Sequence, residues 1–223
     1  MRSKTLIYAL LVGTLSTCSC TVFRPEPVVP EPDLWYYDSI VFEIAPVGSS
    51  APSPAALEQF RQSLDKNRFC PKEHVYFIEH DPEPLLPPML WHGPLLTAFE
   101  DTHRVLYDDD PEDRHLNVFV PYISGAWLAQ DGIRLLGGLQ YAPTAFAIFK
   151  PGASNREAAV LLHEFGHIIG LVKDLNRDNH DDSHPYHCAN KRCVMFYTAP
   201  LVDADFDYYC RRDIRRWIMG RNK

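Results

Sequence analysis

Hydrophobic and polar residues follow one another along this chain in patterns that predict both strands and helices. Four runs have the apolar, β-branched and aromatic content of strands: SIVFEIAP at 39–46, HVYFIEH at 74–80, LNVFVPYI at 116–123 and TAFAIFK at 144–150. Three runs predict helices: PAALEQFRQSLDKN at 54–67, PLLTAFEDTHRVLYD at 94–108 and FDYYCRRDIRRWIM at 206–219. The chain shows no internal repeat and no glycine-rich nucleotide loop.

A further, buried helix is predicted for PGASNREAAVLLHEFGHIIG, residues 151–170. It opens with a Pro-Gly turn signal, and Ser154 and Glu157 have the spacing of a capping box. Apolar residues recur at helical spacing and form one stripe: Ala158, Leu161, Leu162, Phe165, Ile168 and Ile169. Gly170 is a natural stop, because glycine takes the left-handed conformation without strain. The pattern therefore places the motif HEFGH in the last two turns of this helix.

HEFGH sets His163 and His167 one helical turn apart, with Glu164 directly after the first histidine. Residues four apart project from the same face of a helix, so the two imidazoles can hold one metal ion. Zinc fits this pair because it lowers the pKa of a water to about 7, and a neighbouring carboxylate can then take the proton. The spacing predicts metal-assisted hydrolysis with Glu164 as the general base.

A catalytic zinc site usually takes three protein ligands, and this motif supplies two. Lys173 is a poor third ligand, because zinc would need it neutral, whereas Asp174 is a candidate. The polar loop that follows offers three histidines: His180, His184 and His187. The first two of these, with the aspartates between them, are also compatible with a solvated loop or a second cation site. The residues alone leave the choice open.

The first 33 residues are predicted to lie outside the folded domain. Residues 1–19 join two basic residues to an apolar run over 6–15, which predicts a signal peptide. The run ends in LSTCSC, which is similar to the lipobox of bacterial lipoproteins, with Cys20 as the expected lipidation site and Cys18 as the alternative. An ordinary secretory signal is the other interpretation. Residues 20–33 are proline-rich and predict an extended tether, and the folded domain is expected over 34–223.

The net charge of −7 argues against nucleic acid as a partner, because phosphate binding needs a basic surface.

The expected location, a bacterial cell envelope with lipid anchorage to a membrane, bears on the chemistry of the cysteines. Four cysteines lie outside the signal region: Cys70, Cys188, Cys193 and Cys210. In an oxidising compartment they allow two disulfides, and the same four could instead bind a structural metal.

HEFGHIIG, followed later by a histidine and then by CVMFY, resembles the metzincin metalloproteases. The spacing in HCANKRCVM is similar to that of the archaemetzincins within this clan, whose third histidine is followed at once by cysteine. The chain departs from that family in two ways. Sixteen residues separate Gly170 from His187, where the family places its third histidine three residues after the glycine. The family's downstream Cys-x-x-Cys pair is reduced to Cys210, which is followed by Arg211 and Arg212.

The resemblance implies an α+β fold: a metzincin-like zincin domain with a mixed twisted sheet packed on helices, an active-site helix, a Met-turn and a C-terminal helix. It points to His187 as the third zinc ligand, with His184 and His180 as alternatives. It makes Met195 the Met-turn methionine and Tyr197 a residue that stabilises the transition state. It also implies that TAFAIFK is the edge strand, which pairs with an extended substrate.

For the cysteines, the resemblance and the predicted export point in different directions. The family carries a second, structural zinc, but the reduced Cys-x-x-Cys pair puts that ion in doubt here. Disulfides are expected instead in an exported protein, and the expected pairs are Cys188 with Cys193 and Cys70 with Cys210.

Zinc-dependent hydrolysis of a peptide or protein substrate, in an exported and membrane-anchored lipoprotein, is the function that these predictions favour. The alternative is a non-catalytic lipoprotein that uses the same histidines for structure or metal handling. A third hypothesis is a hydrolase that acts on a substrate other than a peptide or protein. Glu164 separates the first two, since a structural zinc site needs no base and takes four protein ligands.

Overall fold

A computed structural model of the protein describes residues 37–84, 90–107, 115–129, 132–134, 136–150, 156–172, 179–198 and 205–220. Of residues 217–220 it describes the backbone alone. All the described residues lie in the second of the two units, 1–33 and 34–223, into which the chain divides. The predicted signal peptide, the tether, both candidate lipidation cysteines, Ser154, Lys173 and Asp174 lie outside the described residues. The statements made about them from the sequence stay predictions.

The described part of the chain contains both strands and helices, with five strands in succession between the second and third helices. In order they are β1 (Ser39–Val47), α1 (Pro54–Lys66), a 3₁₀ turn (Lys72–His74), β2 (Val75–Glu79), β3 (Leu90–Trp91), α2 (Gly93–His103), β4 (His115–Ile123), β5 (Ala126–Ala129), β6 (Gly132–Arg134), β7 (Gly138–Ala142), β8 (Ala145–Phe149), α3 (Glu157–Ile168) and α4 (Tyr208–Gly220). Every strand and helix predicted from the sequence is among them. None of these helices is both long and apolar enough to cross a membrane.

The main sheet has five strands in the order β2-β1-β4-β8-β7. The first four run parallel, and β7 pairs antiparallel with β8. The inner strands β4 and β8 are almost wholly buried, which is why their sequences are nearly continuous apolar runs. A smaller sheet, in the order β3-β5-β6, lies outside this one. The predicted α+β class with a mixed sheet is confirmed.

The strand at the edge of the sheet is not the one predicted from the sequence. TAFAIFK forms β8, which is hydrogen-bonded on both sides, by β4 and by β7. The edge next to the helix α3 is β7, whose residues are only half-buried. Its sequence, GLQYA, is short and lacks strict alternation, so its periodicity gave no strand signal. The prediction that TAFAIFK is the edge strand is therefore wrong, and β7 takes that place.

Aromatic side chains join the helix α3 to the sheet and to α1. Phe165 of α3 is fully buried, with ring centroids 5.8 Å from Phe42 of β1, 6.1 Å from Phe60 of α1 and 5.4 Å from Phe69. These contacts are edge-to-face, the geometry that aromatic quadrupoles favour. The apolar stripe predicted for the helix thus anchors it on the core, and its other face is left for the metal-binding side chains.

The ends of α3 agree only in part with the predicted signals. Gly170 has a φ of +77°, so it ends the helix in the left-handed conformation as expected. At the other end, the Glu157 carboxylate accepts hydrogen bonds from the Ser53 backbone N–H at 3.0 Å and from Lys150 Nζ at 2.6 Å. Glu157 therefore ties the start of the helix to the loop before α1 and to the end of β8.

Helix α2 ends at His103, five residues earlier than predicted. The backbone beyond it is held by Glu43 of β1, a carboxylate that is 1% exposed. Its oxygens accept hydrogen bonds from the N–H groups of Val105 at 2.6 Å and Leu106 at 2.9 Å. A buried carboxylate needs such donors, and satisfying it draws residues after His103 out of the helix.

Candidate metal centres

Three histidine rings converge where the end of α3 meets the loop that follows it. His163 and His167 come from α3, and His187 comes from the loop. One nitrogen from each lies within 4.8 Å of the others, and the Nε2 atoms of His163 and His167 are 3.1 Å apart. A tetrahedral zinc about 2.0–2.1 Å from two imidazole nitrogens sets them about 3.3 Å apart. The spacing therefore suits zinc.

The hydrogen bonds around two of these rings leave their metal-facing nitrogens as acceptors. His163 Nδ1 donates to the Val194 carbonyl at 2.7 Å, and His187 Nδ1 donates to the Pro185 carbonyl at 3.0 Å. Since a carbonyl can only accept, each Nδ1 carries the proton of a neutral ring and each Nε2 carries a lone pair. Neutral rings with oriented lone pairs are the form in which histidine binds a metal.

Burial keeps these histidines neutral. It lowers the pKa of His163 to about 4 and that of His167 well below its usual range, with the neighbouring histidines acting in the same direction. Burial also lowers the pKa of the more exposed His187. Protons therefore compete little with a metal at neutral pH.

Glu164 lies beside this centre in a space that a glycine leaves for it. The carboxyl is 5% exposed, and burial raises its pKa to about 8, while a hydrogen bond from the Gln140 backbone N–H of β7 acts against that rise. A Cβ atom at Gly138 of β7 would lie 2.6 Å from both Cγ and Oε1 of Glu164. A cation held by the adjacent histidines would favour the ionised carboxylate. The site thus joins a base of raised pKa to a metal-binding pocket.

Met195, the expected Met-turn methionine, packs against the helix that carries His163 and His167. It is fully buried, and its Sδ fills the space where a side chain at Gly166 would stand. Val194, which binds His163, precedes it, and the Met195 carbonyl accepts the Cys188 N–H at 2.8 Å. This turn therefore supports the first histidine through Val194 and the third through the residue after His187. Gly166, the fourth residue of HEFGH, was not singled out from the sequence, although a glycine inside a helix is a signal of close packing.

The other two loop histidines do not join the centre. His184 Nδ1 lies 3.1 Å from Asp181 Oδ2, and His180 Nδ1 lies 3.5 Å from Asp182 Oδ1. Of the candidates for the third ligand that the structure describes, only His187 meets His163 and His167. Within the described residues these His–Asp pairs do not gather into a second cation site.

A second cluster of candidate metal ligands begins at Cys188, directly after His187 in the sequence. Cys188, Cys193, Asp207 and Cys210 each offer a ligand atom within 4.8 Å of the others, and the three cysteines are fully buried. The Sγ atoms of Cys193 and Cys210 are 3.5 Å apart. A tetrahedral zinc with bonds of about 2.3 Å sets two sulfurs about 3.8 Å apart. Hydrogen bonds with the Cys188 and Cys210 thiols lower the pKa of Cys193, so the cluster favours a thiolate.

The expected disulfides are absent from the described residues, where all four cysteines are thiols. Cys188, Cys193 and Cys210 share one cluster, so no pairing of Cys70 with Cys210 arises. Cys70 instead lies in the core, where its Sγ is 3.6 Å from the His74 carbonyl and burial raises its pKa to about 12. Three thiols around one point are a metal-binding arrangement rather than two disulfides.

Asp207 is a candidate ligand that was not predicted from the sequence. The resemblance places a second cysteine after Cys210, whereas the structure places Asp207 before it, in the spacing Asp207-x-x-Cys210. Its Oδ1 accepts the Cys210 N–H at 2.9 Å, and its Oδ2 lies 3.2 Å from Cys188 Sγ. The available signal was a carboxylate, an oxygen ligand for zinc, at the place of a Cys-x-x-Cys cysteine.

The fold and the first centre together define a zincin-type domain: a helix carrying two histidines and a glutamate, a third histidine from the next loop, and a methionine beneath. Among solved structures the chain is similar to archaemetzincin from Methanopyrus kandleri, with a TM-score of 0.53 and 16% identity, over 86% of this chain and 99% of that one. The chain therefore has an archaemetzincin-like fold, as the sequence motifs predicted.

Among curated proteins the chain is similar to archaemetzincin from Methanocaldococcus jannaschii. The two are 33% identical over 57 residues, which make up 25% of this chain and 24% of that protein. A more distant structural likeness, with a TM-score of 0.49 and 16% identity over 81% of this chain and 100% of the other, is to a zinc-dependent peptidase from Methanocorpusculum labreanum. No protein-family model matches the chain.

Proposed function

We propose that this protein is a zinc-dependent peptidase in which His163, His167 and His187 hold the metal and Glu164 is the general base. One observation carries the proposal: three neutral, converging imidazoles lie beside a buried carboxylate for which Gly138 leaves room. The site uses three protein ligands, which leaves a tetrahedral metal with one position for substrate or water. The likeness to proteins named archaemetzincin supports the same reading.

A zinc ion at this centre would supply Lewis acidity, polarising a peptide carbonyl and lowering the pKa of a water. Glu164 takes the proton of the attacking water and passes it to the nitrogen of the departing amine. Burial raises the pKa of this carboxyl in the metal-free chain, and a cation in the histidine centre would act against that rise, which suits a group that must both take and give up a proton. Tyr197, two residues after Met195, donates a hydrogen bond from its hydroxyl to the developing oxyanion in this proposal.

The substrate in this proposal is an extended peptide that pairs with β7. This strand lies at one end of the main sheet, and its Gln140 N–H already contacts Glu164. A peptide added alongside β7 forms backbone hydrogen bonds with the strand and passes the metal centre. The strand register would then set which bond lies beside Glu164.

Exchange of Glu164 for glutamine tests this function. We expect Glu164→Gln to keep the zinc of the histidine centre and to lower kcat for peptide hydrolysis by about 10²–10⁴-fold, since the amide cannot accept the proton. Zinc is counted by elemental analysis, and hydrolysis is followed on a fluorogenic peptide library. Glu58→Gln, on the exposed side of α1, is the matched control. Equal activity in Glu164→Gln and wild type would contradict the proposal and favour the non-catalytic alternative.

The cluster of Cys188, Cys193, Asp207 and Cys210 holds a second, structural zinc in this proposal. Four protein ligands leave no position for substrate, which is the arrangement of structural zinc sites. The cluster joins the Met-turn to α4, because Cys193 belongs to the turn and Cys210 to the helix. Its zinc would thus fix the backbone around Val194 and Met195 that supports the catalytic histidines.

Export and lipid anchoring remain part of the proposal on the ground of the N-terminal sequence. The apolar run over 6–15 and LSTCSC support cleavage before Cys20, with Cys18 as the alternative. Radiolabelled palmitate should enter the wild-type chain in a bacterial host and be lost in Cys20→Ser. Label retained in Cys20→Ser but lost in Cys18→Ser would move the site to Cys18. Absence of label from the wild-type chain would contradict lipidation.

A further inference from the structure

In residues 179–186, the described part of the segment directly before His187, a histidine ring covers Tyr197. The rings of His184 and Tyr197 have centroids 3.7 Å apart and lie within 2° of parallel. Tyr197 is 44% exposed, and its ring also contacts Phe196, with centroids 4.6 Å apart and the rings tilted by 58°, so the stack on His184 is the closer and flatter of these two contacts. The stack therefore restricts a ring that otherwise has one side in solvent.

His184 is itself fixed by hydrogen bonds within the loop. Its Nδ1 lies 3.1 Å from Asp181 Oδ2, and the other carboxylate oxygen of Asp181 accepts the Ser183 N–H at 2.9 Å. The backbone N–H of His184 donates to the Asp181 carbonyl at 3.1 Å. The ring that stacks on Tyr197 is thus held by one carboxylate, and it presents a fixed face rather than a mobile one.

The same turn carries the third metal ligand. The His187 N–H donates to the His184 carbonyl at 3.1 Å, and the Asp181 N–H donates to the His187 carbonyl at 2.9 Å. The positions of the His184 ring and of His187 are therefore set together. The backbone beside Tyr197 is already held, because the Arg156 guanidinium donates to the Thr198 carbonyl. What the stack adds is control of the tyrosine ring.

We propose that His184 is a positioning residue, which orients the Tyr197 ring toward the three-histidine centre through the flat stack, with Asp181 holding the His184 ring. This inference rests on the proposed function, in which Tyr197 acts on the transition state. It gives the inserted loop a role beyond supplying His187. It also accounts for His184, a candidate third ligand that does not reach the metal centre.

Four variants test the inference on the full zinc-loaded chain: His184→Ala, His184→Phe, Tyr197→Phe and the double variant His184→Ala/Tyr197→Phe. We expect His184→Ala to lower kcat about fivefold to tenfold, the size of one aromatic contact, with KM and zinc content little changed. His184→Phe keeps a flat ring and should restore most of kcat. The double variant should be no slower than Tyr197→Phe, because His184 acts through the tyrosine hydroxyl.

A second readout does not depend on catalysis. In NMR spectra of chain labelled at tyrosine, the Tyr197 ring resonances should move toward exposed-tyrosine values in His184→Ala and stay near wild type in His184→Phe. His103→Ala is the matched control, because His103 also stacks on a ring, Phe99 at 4.1 Å, but on α2. It should leave both kcat and the Tyr197 resonances unchanged.

Unmoved Tyr197 resonances in His184→Ala would overturn the inference. So would a kcat that rises in His184→Ala, or one that falls equally in the wild-type and Tyr197→Phe backgrounds. If the wild-type chain hydrolyses no peptide, the proposed function fails, and the resonances alone then decide whether His184 orients Tyr197.

Discussion

The histidine centre and the cysteine cluster are neighbours in sequence, yet their surroundings differ. His187 and Cys188 are consecutive, but the first joins three neutral imidazoles and the second joins three thiols and a carboxylate. Beside the histidines lie the carboxyl of Glu164 and the edge strand β7. Around the cysteines lie ligands and amides, among them Asn179 Nδ2 at 2.7 Å from Cys188 Sγ. The same metal would therefore be open to substrate at one centre and enclosed at the other.

The short segment from His187 to Met195 can therefore contribute to both a proposed catalytic centre and a proposed structural centre. Thiolates with a carboxylate can neutralise the charge of zinc fully, whereas neutral imidazoles leave it as a strong Lewis acid. The Met-turn lies between the two centres and contacts both, through Val194 to His163 and through Cys193 to the cluster. Substitutions in the histidine centre should therefore lower activity, and substitutions in the cysteine cluster should lower stability.

The largest separation is expected from His167→Ala. Removing one of three ligands should release one zinc per chain and lower peptide hydrolysis at least about a thousandfold, because several kcal/mol of transition-state stabilisation come from the metal. The cysteine cluster should keep its zinc. Elemental analysis and initial rates measure both effects, with His74→Ala, an exposed histidine bonded to the Asp38 carbonyl, as the control. Activity persisting in His167→Ala would remove the histidine centre from the catalytic role.

Cys193→Ala should have the opposite profile. We expect loss of the second zinc and a free energy of unfolding lower by about 4 kcal/mol, when free zinc exceeds its Kd about a thousandfold. Urea unfolding with and without a zinc chelator measures this effect. Cys70→Ala is the matched control, because Cys70 is also a buried thiol but belongs to neither cluster. A chelator that destabilises wild type and Cys193→Ala equally would show that the cluster holds no structural zinc.

Gly138→Ala sharpens the comparison at the histidine centre alone. The added Cβ would lie 2.6 Å from Glu164 Cγ, so the carboxylate must move. We expect kcat to fall about a hundredfold, because a displacement near 1 Å costs about that much in a positioned catalytic group. Both zinc ions should remain. Gly93→Ala is the control, since its Cβ would meet nothing within 4 Å. Unchanged kcat in Gly138→Ala would show that Glu164 does not need its present position.

The smallest effect expected is a pH dependence of the metal-free protein. The folded pKa values of the three histidines are lowered, that of His163 from 6.5 to about 4, whereas that of Glu164 is raised from 4.5 to about 8. Between pH 4.5 and 6.5 the unfolded chain therefore binds more histidine protons, and the folded chain keeps one extra carboxyl proton. The histidines outnumber the carboxyl, and the lowered pKa of Cys193 acts in their direction.

The free energy of unfolding should accordingly fall as pH is lowered from 6.5 to 4.5, by about 1.4 kcal/mol per pH unit for each proton that the unfolded chain binds in excess. Urea unfolding after chelation measures it. Glu164→Gln removes the opposing proton, so the loss on acidification should become steeper. A flat profile in wild type would mean that the histidines are not held neutral by the fold.

Sequence reasoning predicted the parts of this molecule that rest on local periodicity. Phe165 and its apolar neighbours predicted the helix α3, and the spacing of His163, Glu164 and His167 predicted the zinc chemistry that we propose for it. His187 could not be predicted from periodicity, because sixteen residues separate it from Gly170. Its place directly before Cys188 distinguished it from the other histidines of the loop.

The features that sequence did not predict depend on contacts between distant segments. The edge position of β7 is set by its pairing with β8. The short sequence GLQYA does not predict this pairing. Asp207 joins the cysteine cluster only because the segment around Met195 brings Cys193 to α4. Gly138 matters through Glu164, which lies far along the chain. The disulfide pairs failed for the same reason, since cysteine count alone cannot tell a cluster from two bridges.

The most direct test of the account is a zinc-loaded crystal structure with anomalous scattering at the zinc edge. The account predicts two zinc ions per chain. One would be bound by His163, His167 and His187 with its fourth position not filled by protein, and the other by Cys188, Cys193, Asp207 and Cys210. A fourth protein ligand on the first zinc, or a disulfide in place of the second, would contradict the division into an open and an enclosed centre.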